Sequence, residues 1–183
     1  MLAELQKIHD ETGTTFLYVT HDQGEAMSLS HRIAVMNRGK IEQCAAPVDI
    51  YEHPNTTFVA SFIGDTNLVE CMVESASGAY CQLGLSNLPS LVVRGMDGLH
   101  VGDKVRLLIR PEYIHIMTDK PDDSSPEANI IPGTVKETIY LGQQTKYRVV
   151  TGQQVLSVVR YHNSPSDNAS IRNGDVVWLQ CRA

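Results

Sequence analysis

The stretch Thr14-Thr15-Phe16-Leu17-Tyr18-Val19-Thr20-His21-Asp22-Gln23 decides how the first third of this 183-residue chain folds. Its β-branched and aromatic residues from Thr14 to Val19 predict a buried strand. Two overlapping capping-box patterns, Thr20-x-x-Gln23 and Asp22-x-x-Glu25, predict that a helix begins directly after it, with Asp22 as a candidate cap. We therefore expect His21 on the turn between a strand and a helix, where its ring can face a ligand.

The segments on either side of this stretch predict a helix and a hairpin. Leu2, Leu5 and Ile8 recur at helical spacing, which predicts an amphipathic helix over residues 1–11 that ends near Thr12-Gly13. Residues 32–37 and 40–43 predict the two strands of a hairpin, with the Asn37-Arg38-Gly39-Lys40 turn between them.

Residues 47–64 predict two short helices divided at Pro54. Asn55 is the expected N-cap of the second helix, and Gly64 is expected to close it. These two helices are interpreted as a connector, because the character of the sequence changes at Asn67.

From Asn67 onward the sequence predicts many short strands separated by Gly, Pro, Asn and Asp turns. Such close spacing is typical of a barrel or sandwich. The sequences 101–105 and 173–177 are alike, since each contains a Gly-Asp turn that opens an apolar strand. The predicted strands cover residues 67–74, 79–83, 91–94, 104–110, 112–117, 132–141, 144–150, 153–160 and 175–181.

Three features of this second part have a plain interpretation. The acidic segment 119–129 is expected to be a mobile loop. Arg110-Pro111-Glu112 could clamp an anion, but we favour a bend whose charges are solvated. Trp178, the only tryptophan, is expected in the core.

Composition excludes some classes of function. The net charge of -6 and pI of about 5.6 argue against a nucleic-acid partner, which would need clustered Lys and Arg. No apolar run approaches the roughly 18 residues of a membrane span. The start, residues 1–7, lacks the pattern of a signal peptide, so the sequence predicts a cytosolic protein that reaches a membrane only through partners. The spacing of its four cysteines predicts reduced thiols and neither a disulfide framework nor a metal site.

Blocks of residues spread over nearly the whole chain resemble the C-terminal half of the ATP-binding subunits of ABC importers. The likeness is to the branch with sugar, polyamine and ferric-iron importers, and the last two blocks are similar to its appended TOBE regulatory domain. Tyr140-Leu141-Gly142 and Thr145 favour the polyamine and iron types over the sugar type. The blocks are Thr20-His21-Asp22-Gln23-x-Glu25-Ala26-Met27, Arg32-Ile33-Ala34-Val35-Met36-Asn37-x-Gly39-x-Ile41-x-Gln43, Pro47-x-x-Ile50-Tyr51-x-x-Pro54, Phe58-Val59-Ala60-x-Phe62-Ile63-Gly64-x-x-Asn67, Val105-Arg106-Leu107-Leu108-Ile109-Arg110-Pro111-Glu112 and Gly133-Thr134-Val135-x-Glu137-x-x-Tyr140-Leu141-Gly142.

The resemblance implies a fold and a domain order. The expected fold is α+β, mainly β: the truncated C-terminal part of an ABC ATPase α/β domain, followed by an OB-like β-barrel TOBE domain. The implied boundaries are residues 1–46 for the ATPase remnant, 47–65 for the helical connector and 66–183 for the TOBE domain. The two Gly-Asp strand starts agree with the two related small barrels that such a domain implies.

The resemblance also implies a role for His21. At this position the family carries the switch histidine, whose ring reaches the γ-phosphate of ATP in a closed dimer. ATP and Mg²⁺ are the implied cofactors of the complete subunit. No phosphate-binding G-x-x-x-x-G-K-[ST] loop, Ser-Gly-Gly-Gln signature or acidic magnesium pair occurs in these residues, so no cofactor is expected for this chain alone.

The implied partners are a second copy of the chain, the transmembrane permease subunits and, indirectly, a solute-binding protein. The implied location is the cytoplasmic face of the bacterial inner membrane. An alternative remains open from the residues: a stand-alone TOBE-type module that binds a small ligand or dimerises, without ATPase activity.

Overall fold

The protein is described by a computed structural model that covers residues 2–86, 88–95, 97–122, 125, 127–162 and 171–182. The chain divides into two compact units, residues 1–65 and residues 66–183. Strands dominate, which confirms the mainly β prediction. Among the described residues, the α-helices all lie in the first unit: α1 (Leu2–Thr12), α2 (Gln23–Leu29), α3 (Pro47–Glu52) and α4 (Thr57–Phe62). Its strands are β1 (Ile33–Asn37) and β2 (Lys40–Ala45).

The first unit is held together by a small apolar core. Its buried members come from β1, α3 and α4, and Ala26 and Met27 of α2 pack against them. Removing such side chains from water is the main favourable contribution to folding in a unit of this size. The buried set is Ile33, Val35, Ile50, Val59 and Ile63.

The predicted hairpin is confirmed as the antiparallel pair β1 and β2. Its two-residue turn, Arg38-Gly39, has positive φ at both positions, 49° and 78°. A type I′ hairpin turn requires this conformation at both central residues, and its twist matches that of the flanking strands. The sequence therefore specified both the strands and their turn.

Two short helices follow the hairpin, as predicted, but the cap of the second one differs. Thr56, not Asn55, is the N-cap of α4, and its hydroxyl accepts a hydrogen bond from the Val59 N–H at 3.2 Å. The Asn55 N–H instead donates to the side-chain oxygen of Gln43 at 2.8 Å. Both residue types cap helices well, so the choice depends on a contact with β2 that lies 12 residues away in sequence.

The predicted buried strand over Thr14–Val19 is wrong. The segment is irregular in the structure, and Leu17 and Val19 are 94% and 88% exposed. A strand exists only where a neighbouring strand satisfies its backbone N–H and C=O groups. Among the described residues, none pairs with this segment in a sheet.

The second unit consists of two antiparallel sheets around one core. The four-stranded sheet has the order β5-β4-β3-β6, and the five-stranded sheet has the order β10-β9-β8-β11-β7. Both sheets contribute to a single buried apolar cluster. The strands are β3 (Asn67–Ser77), β4 (Tyr80–Gly84), β5 (Leu91–Arg94), β6 (Lys104–Ile109), β7 (His115–Met117), β8 (Ala128–Tyr140), β9 (Gln144–Thr151), β10 (Gln154–Tyr161) and β11 (Val176–Arg182).

The two sheets are built alike. Val73 of β3 accepts a hydrogen bond from the Gly102 N–H at 2.8 Å and donates to the Asp103 carbonyl at 2.9 Å. Val135 of β8 makes the same two bonds with Gly174 and Asp175, at the same distances. The repeated Gly-Asp sequences therefore occupy equivalent positions, and the second unit is an internal repeat of one four-stranded pattern.

A buried asparagine in each repeat joins it to the other repeat. The Asn67 side chain of β3 accepts from the Ser157 N–H at 2.7 Å and donates to the Ser157 carbonyl at 2.8 Å. The Asn129 side chain of β8 makes the same pair of bonds with Val92 of β5, at 2.6 and 2.7 Å. Each amide thus substitutes for a strand at the edge of the opposite sheet.

Several expectations for the second unit need correction. Arg110 is buried, with 1% of its surface exposed, so the prediction that its charge is solvated is wrong. The predicted strand 112–117 begins instead as a short 3₁₀ helix, Pro111–Tyr113, before β7. Trp178 is half-buried, outside the core cluster, and the Lys120 ammonium lies 5.3 Å from its ring centroid.

Two further predictions concern the acidic loop and the cysteines. The loop prediction for 119–129 falls partly outside the described residues, and its last two residues belong to β8. Cys71, Cys81 and Cys181 are buried thiols, whereas Cys44 is exposed. Within the described ranges, no helix is both long enough and apolar enough to cross a membrane.

Candidate functional site at the His21 turn

The His21 turn lies between the irregular segment 14–20 and helix α2. Asp22 is the N-cap of α2, as expected, and its side chain accepts a hydrogen bond from the Glu25 N–H at 2.9 Å. The Asp22 N–H donates to the Thr20 hydroxyl oxygen at 2.9 Å. Side chains of short reach therefore fix the backbone immediately before and after His21.

Glu25 ties the preceding segment to α2. One of its carboxylate oxygens accepts hydrogen bonds from both the Tyr18 phenol and the Thr20 hydroxyl, each at 2.9 Å. The hydrogen bond to Glu25 also raises the pKa of Tyr18 above its usual value, because the bond favours the protonated phenol. Both capping-box predictions are corrected here. The Glu25 side chain does not accept from the Asp22 N–H, and Thr20 is not a helix cap.

His21 itself is exposed on this fixed turn. Among the residues that the structure describes, none forms a hydrogen bond with its ring. A histidine ring can donate or accept a hydrogen bond, depending on its protonation and tautomer. The turn therefore presents one free imidazole to a ligand.

Gln23 makes a contact at this site that the sequence did not predict. It begins α2, and its side chain reaches the end of α4, where it bonds to backbone groups of Phe62 and Gly64. These residues lie 39 and 41 positions away in sequence. A contact of that span has no local sequence signal, and the capping-box pattern assigned Gln23 to a different role.

Within the part of the chain that the structure describes, no further group completes a nucleotide site around His21. The described residues contain no group of three or more His, Cys, Asp or Glu side chains placed to hold a metal ion. Phosphate binding usually depends on several backbone N–H groups, a lysine and a bound Mg²⁺. One imidazole can orient a phosphate that other residues hold, but it cannot hold a triphosphate by itself.

Comparisons with known proteins first define the class of the second unit. Residues 107–183 match the family described as TOBE domain. The solved structure of the cytoplasmic molybdate-binding protein ModG has a similar fold, with a TM-score of 0.53 and 16% identity, over 64% of this chain and 90% of that chain. At that identity the likeness concerns the fold alone. Residues 107–183 of the second unit are thus a TOBE-type β region.

Comparisons over the whole chain give the family. Spermidine/putrescine import ATP-binding protein PotA of Protochlamydia amoebophila is 41% identical over 181 residues, which cover 98% of this chain and 48% of that protein. PotA of Treponema pallidum is 40% identical, over 97% of this chain and 48% of that protein. PotA of Frankia alni is 40% identical, over 98% of this chain and 40% of that protein.

Over nearly its whole length, this chain is similar to the C-terminal half of import ATP-binding proteins of this kind, and residues 107–183 match the TOBE domain family. The resemblance drawn from the sequence blocks is confirmed. The chain spans about half the length of the curated relatives that it matches.

Proposed function

We propose that this chain forms the C-terminal part of the ATP-binding subunit of a polyamine-type ABC importer. The observation that carries the proposal is the match to polyamine-import relatives over 98% of the chain, which includes the His21 turn as well as the TOBE domain. A stand-alone TOBE module would not require residues 1–65 to match such relatives. The alternative of an isolated binding or dimerisation module is therefore not favoured.

In the complete subunit, ATP and Mg²⁺ would be held mainly by residues that this chain does not contain. His21 would supply one hydrogen bond to the terminal phosphate and help to hold the attacking water in line. Positioning and electrostatic stabilisation account for most of the catalysis in such phosphoryl transfer. Asp22 and Glu25 would keep the turn in place, since their bonds fix the backbone on both sides of His21.

The exposed segment Thr14–Val19 supports the same proposal. It combines strand-forming residues with two apolar side chains, Leu17 and Val19, that are about nine-tenths exposed. A neighbouring strand of a complete nucleotide-binding domain would cover these side chains and satisfy the backbone. The proposed partners are a second copy, the permease subunits and a solute-binding protein, at the cytoplasmic face of the bacterial inner membrane.

Exchanging His21 for alanine in the complete subunit tests the proposal. His21→Ala should lower kcat for ATP by at least about a hundredfold, because removing one transition-state contact has effects of that order. The Kd for Mg-ATP should change by less than about threefold. His53→Ala is the matched control, since His53 is an exposed histidine of the same unit. An equal loss in binding and turnover would contradict the proposed role.

A further inference from the structure

The side-chain amide of Gln23 uses both of its ends in contacts with one short stretch of backbone. Its Nε2 group donates to the Phe62 carbonyl, and its Oε1 atom accepts from the Gly64 N–H at 2.9 Å. Phe62 is the last residue of α4, whose final carbonyls lack partners within the helix. Gly64 has a φ of +72°, so the chain turns out of the helix at the point that Gln23 holds.

The same residue is rigidly connected to the His21 turn. Only Asp22 separates Gln23 from His21, and Asp22 is fixed through its backbone to Thr20 and through its carboxylate to Glu25. A turn with bonds on both sides has few ways to absorb a displacement internally. A shift of the Gln23 backbone is therefore passed to His21 across two peptide units.

Packing supports the contact between α2 and the end of α4. Ala26 and Met27 of α2 lie against the core that contains Val59 and Ile63. Ile63 is 4% exposed and is the C-cap of α4. The Gln23 amide thus extends an apolar contact with two directional bonds, which fix position more narrowly than packing alone.

We infer that Gln23 is a positioning residue that couples the His21 turn to the backbone at residues 62–64, the segment that leads into the second unit at residue 66. A displacement at either end of this coupling moves the other. This gives a route within the chain by which the state of the segment entering the TOBE domain sets the position of His21. The inference rests on the proposed function only for its effect on ATP turnover.

The chain contains a matched control for this contact. Gln43 also uses both ends of its amide on backbone, since it donates to the His53 carbonyl at 3.0 Å and accepts from the Asn55 N–H at 2.8 Å. It is more buried than Gln23, and neither of these bonds reaches residues 20–25. Methionine is close to glutamine in length, so Gln23→Met and Gln43→Met each delete two bonds without deleting bulk. At Gln23, which lies in α2, methionine also forms helix about equally well.

The first experiment uses this 183-residue chain and needs no nucleotide. Two-dimensional NMR should follow the backbone amides of Gly64 and Asn55 and the ring of His21, which is assigned by the signal that His21→Ala removes. Gln23→Met should speed hydrogen exchange at Gly64 and move the His21 ring signal. Gln43→Met should affect Asn55 and leave His21 in place. A His21 signal that is unmoved by Gln23→Met, or moved equally by Gln43→Met, would overturn the coupling.

The second experiment measures steady-state ATP turnover of the complete subunit. Gln23→Met should lower kcat by about tenfold to a hundredfold with little change in KM, because misplacing a positioned group by about 1 Å costs up to that much. Gln43→Met should leave kcat within about twofold. If His21→Ala left kcat unchanged, the proposed function would be refuted. If Gln23→Met kept full turnover while His21→Ala was inactive, the inference would be refuted and the proposed function would stand.

Discussion

Replacing Asn67 with alanine should destabilise the second unit more than deletion of any other side-chain amide that the structure describes there. Asn67 is 6% exposed, and its amide makes three hydrogen bonds: two with the Ser157 backbone and one, at 3.2 Å, to the Ile109 carbonyl. Truncation leaves one N–H and two carbonyls without these partners at a buried position. Such groups lose the bond without regaining full hydration.

The expected cost follows from the number of bonds lost. At about 1 kcal/mol net for each hydrogen bond, Asn67→Ala should lower the free energy of unfolding by about 3 kcal/mol. Asn129→Ala removes the two bonds to Val92 and should cost about 2 kcal/mol. Asn67→Ala should therefore cost more than Asn129→Ala. Relaxation of the surroundings should be similar for both variants, because the repeats place the two amides equivalently, so it should not change this order.

Trp178 makes this measurement specific. It is the only tryptophan of the chain and lies in β11, so its fluorescence during urea denaturation follows the second unit and not the first. Asn37→Ala is the control, because Asn37 makes a single side-chain bond, to Glu42, within the first unit. Its Trp178 transition should match that of the unaltered chain. A loss below about 0.5 kcal/mol for Asn67→Ala, or a larger loss for Asn129→Ala, would refute the reasoning.

Four other outcomes are expected. Thr56→Ala should destabilise the first unit by about 1 kcal/mol through loss of the α4 cap, whereas Asn55→Ala should have little effect, as circular dichroism during denaturation would show. Burial raises the pKa of the Cys181 thiol from 9.0 to about 11, so the protein should lose stability as the pH rises from about 9 to 11, and Cys181→Ala should flatten that dependence in urea titrations. Isothermal calorimetry with Mg-ATP should detect no micromolar binding to this chain alone, and sedimentation equilibrium should show that it dimerises without nucleotide.

The elements that sequence predicted correctly depend on short-range signals. Arg38-Gly39 specifies its turn by backbone conformation, and the Gly-Asp pairs mark the start of a strand in each repeat. The exit from α1 is similarly local, since Gly13 has a φ of 63° and donates to the His9 carbonyl at 2.8 Å. In each case the deciding residues are neighbours in sequence, so their preferences can be interpreted without the rest of the fold.

The wrong predictions share the opposite property. The strand expected over Thr14–Val19 required a partner strand, and propensity alone cannot provide one. The neighbouring Pro and Glu of Arg110 indicated an exposed bend. Arg110 is nevertheless buried, because the elements around it come together only in the folded unit. The cap of α4 shifted from Asn55 to Thr56 because Gln43 binds the Asn55 backbone.

The His21 site combines both kinds of information, which determines what this chain can reveal about it. The bonds of Asp22 and Glu25 span seven residues at most, so they form although none of the described residues pairs as a strand with the segment before His21. The turn should therefore keep its form in the isolated chain, and the Gln23 coupling can be measured there. The proposed phosphate contact of His21 cannot be measured there, because it would depend on residues that this chain does not contain. Structural coupling and catalysis at this site can thus be tested separately, the first on 183 residues and the second in the complete subunit.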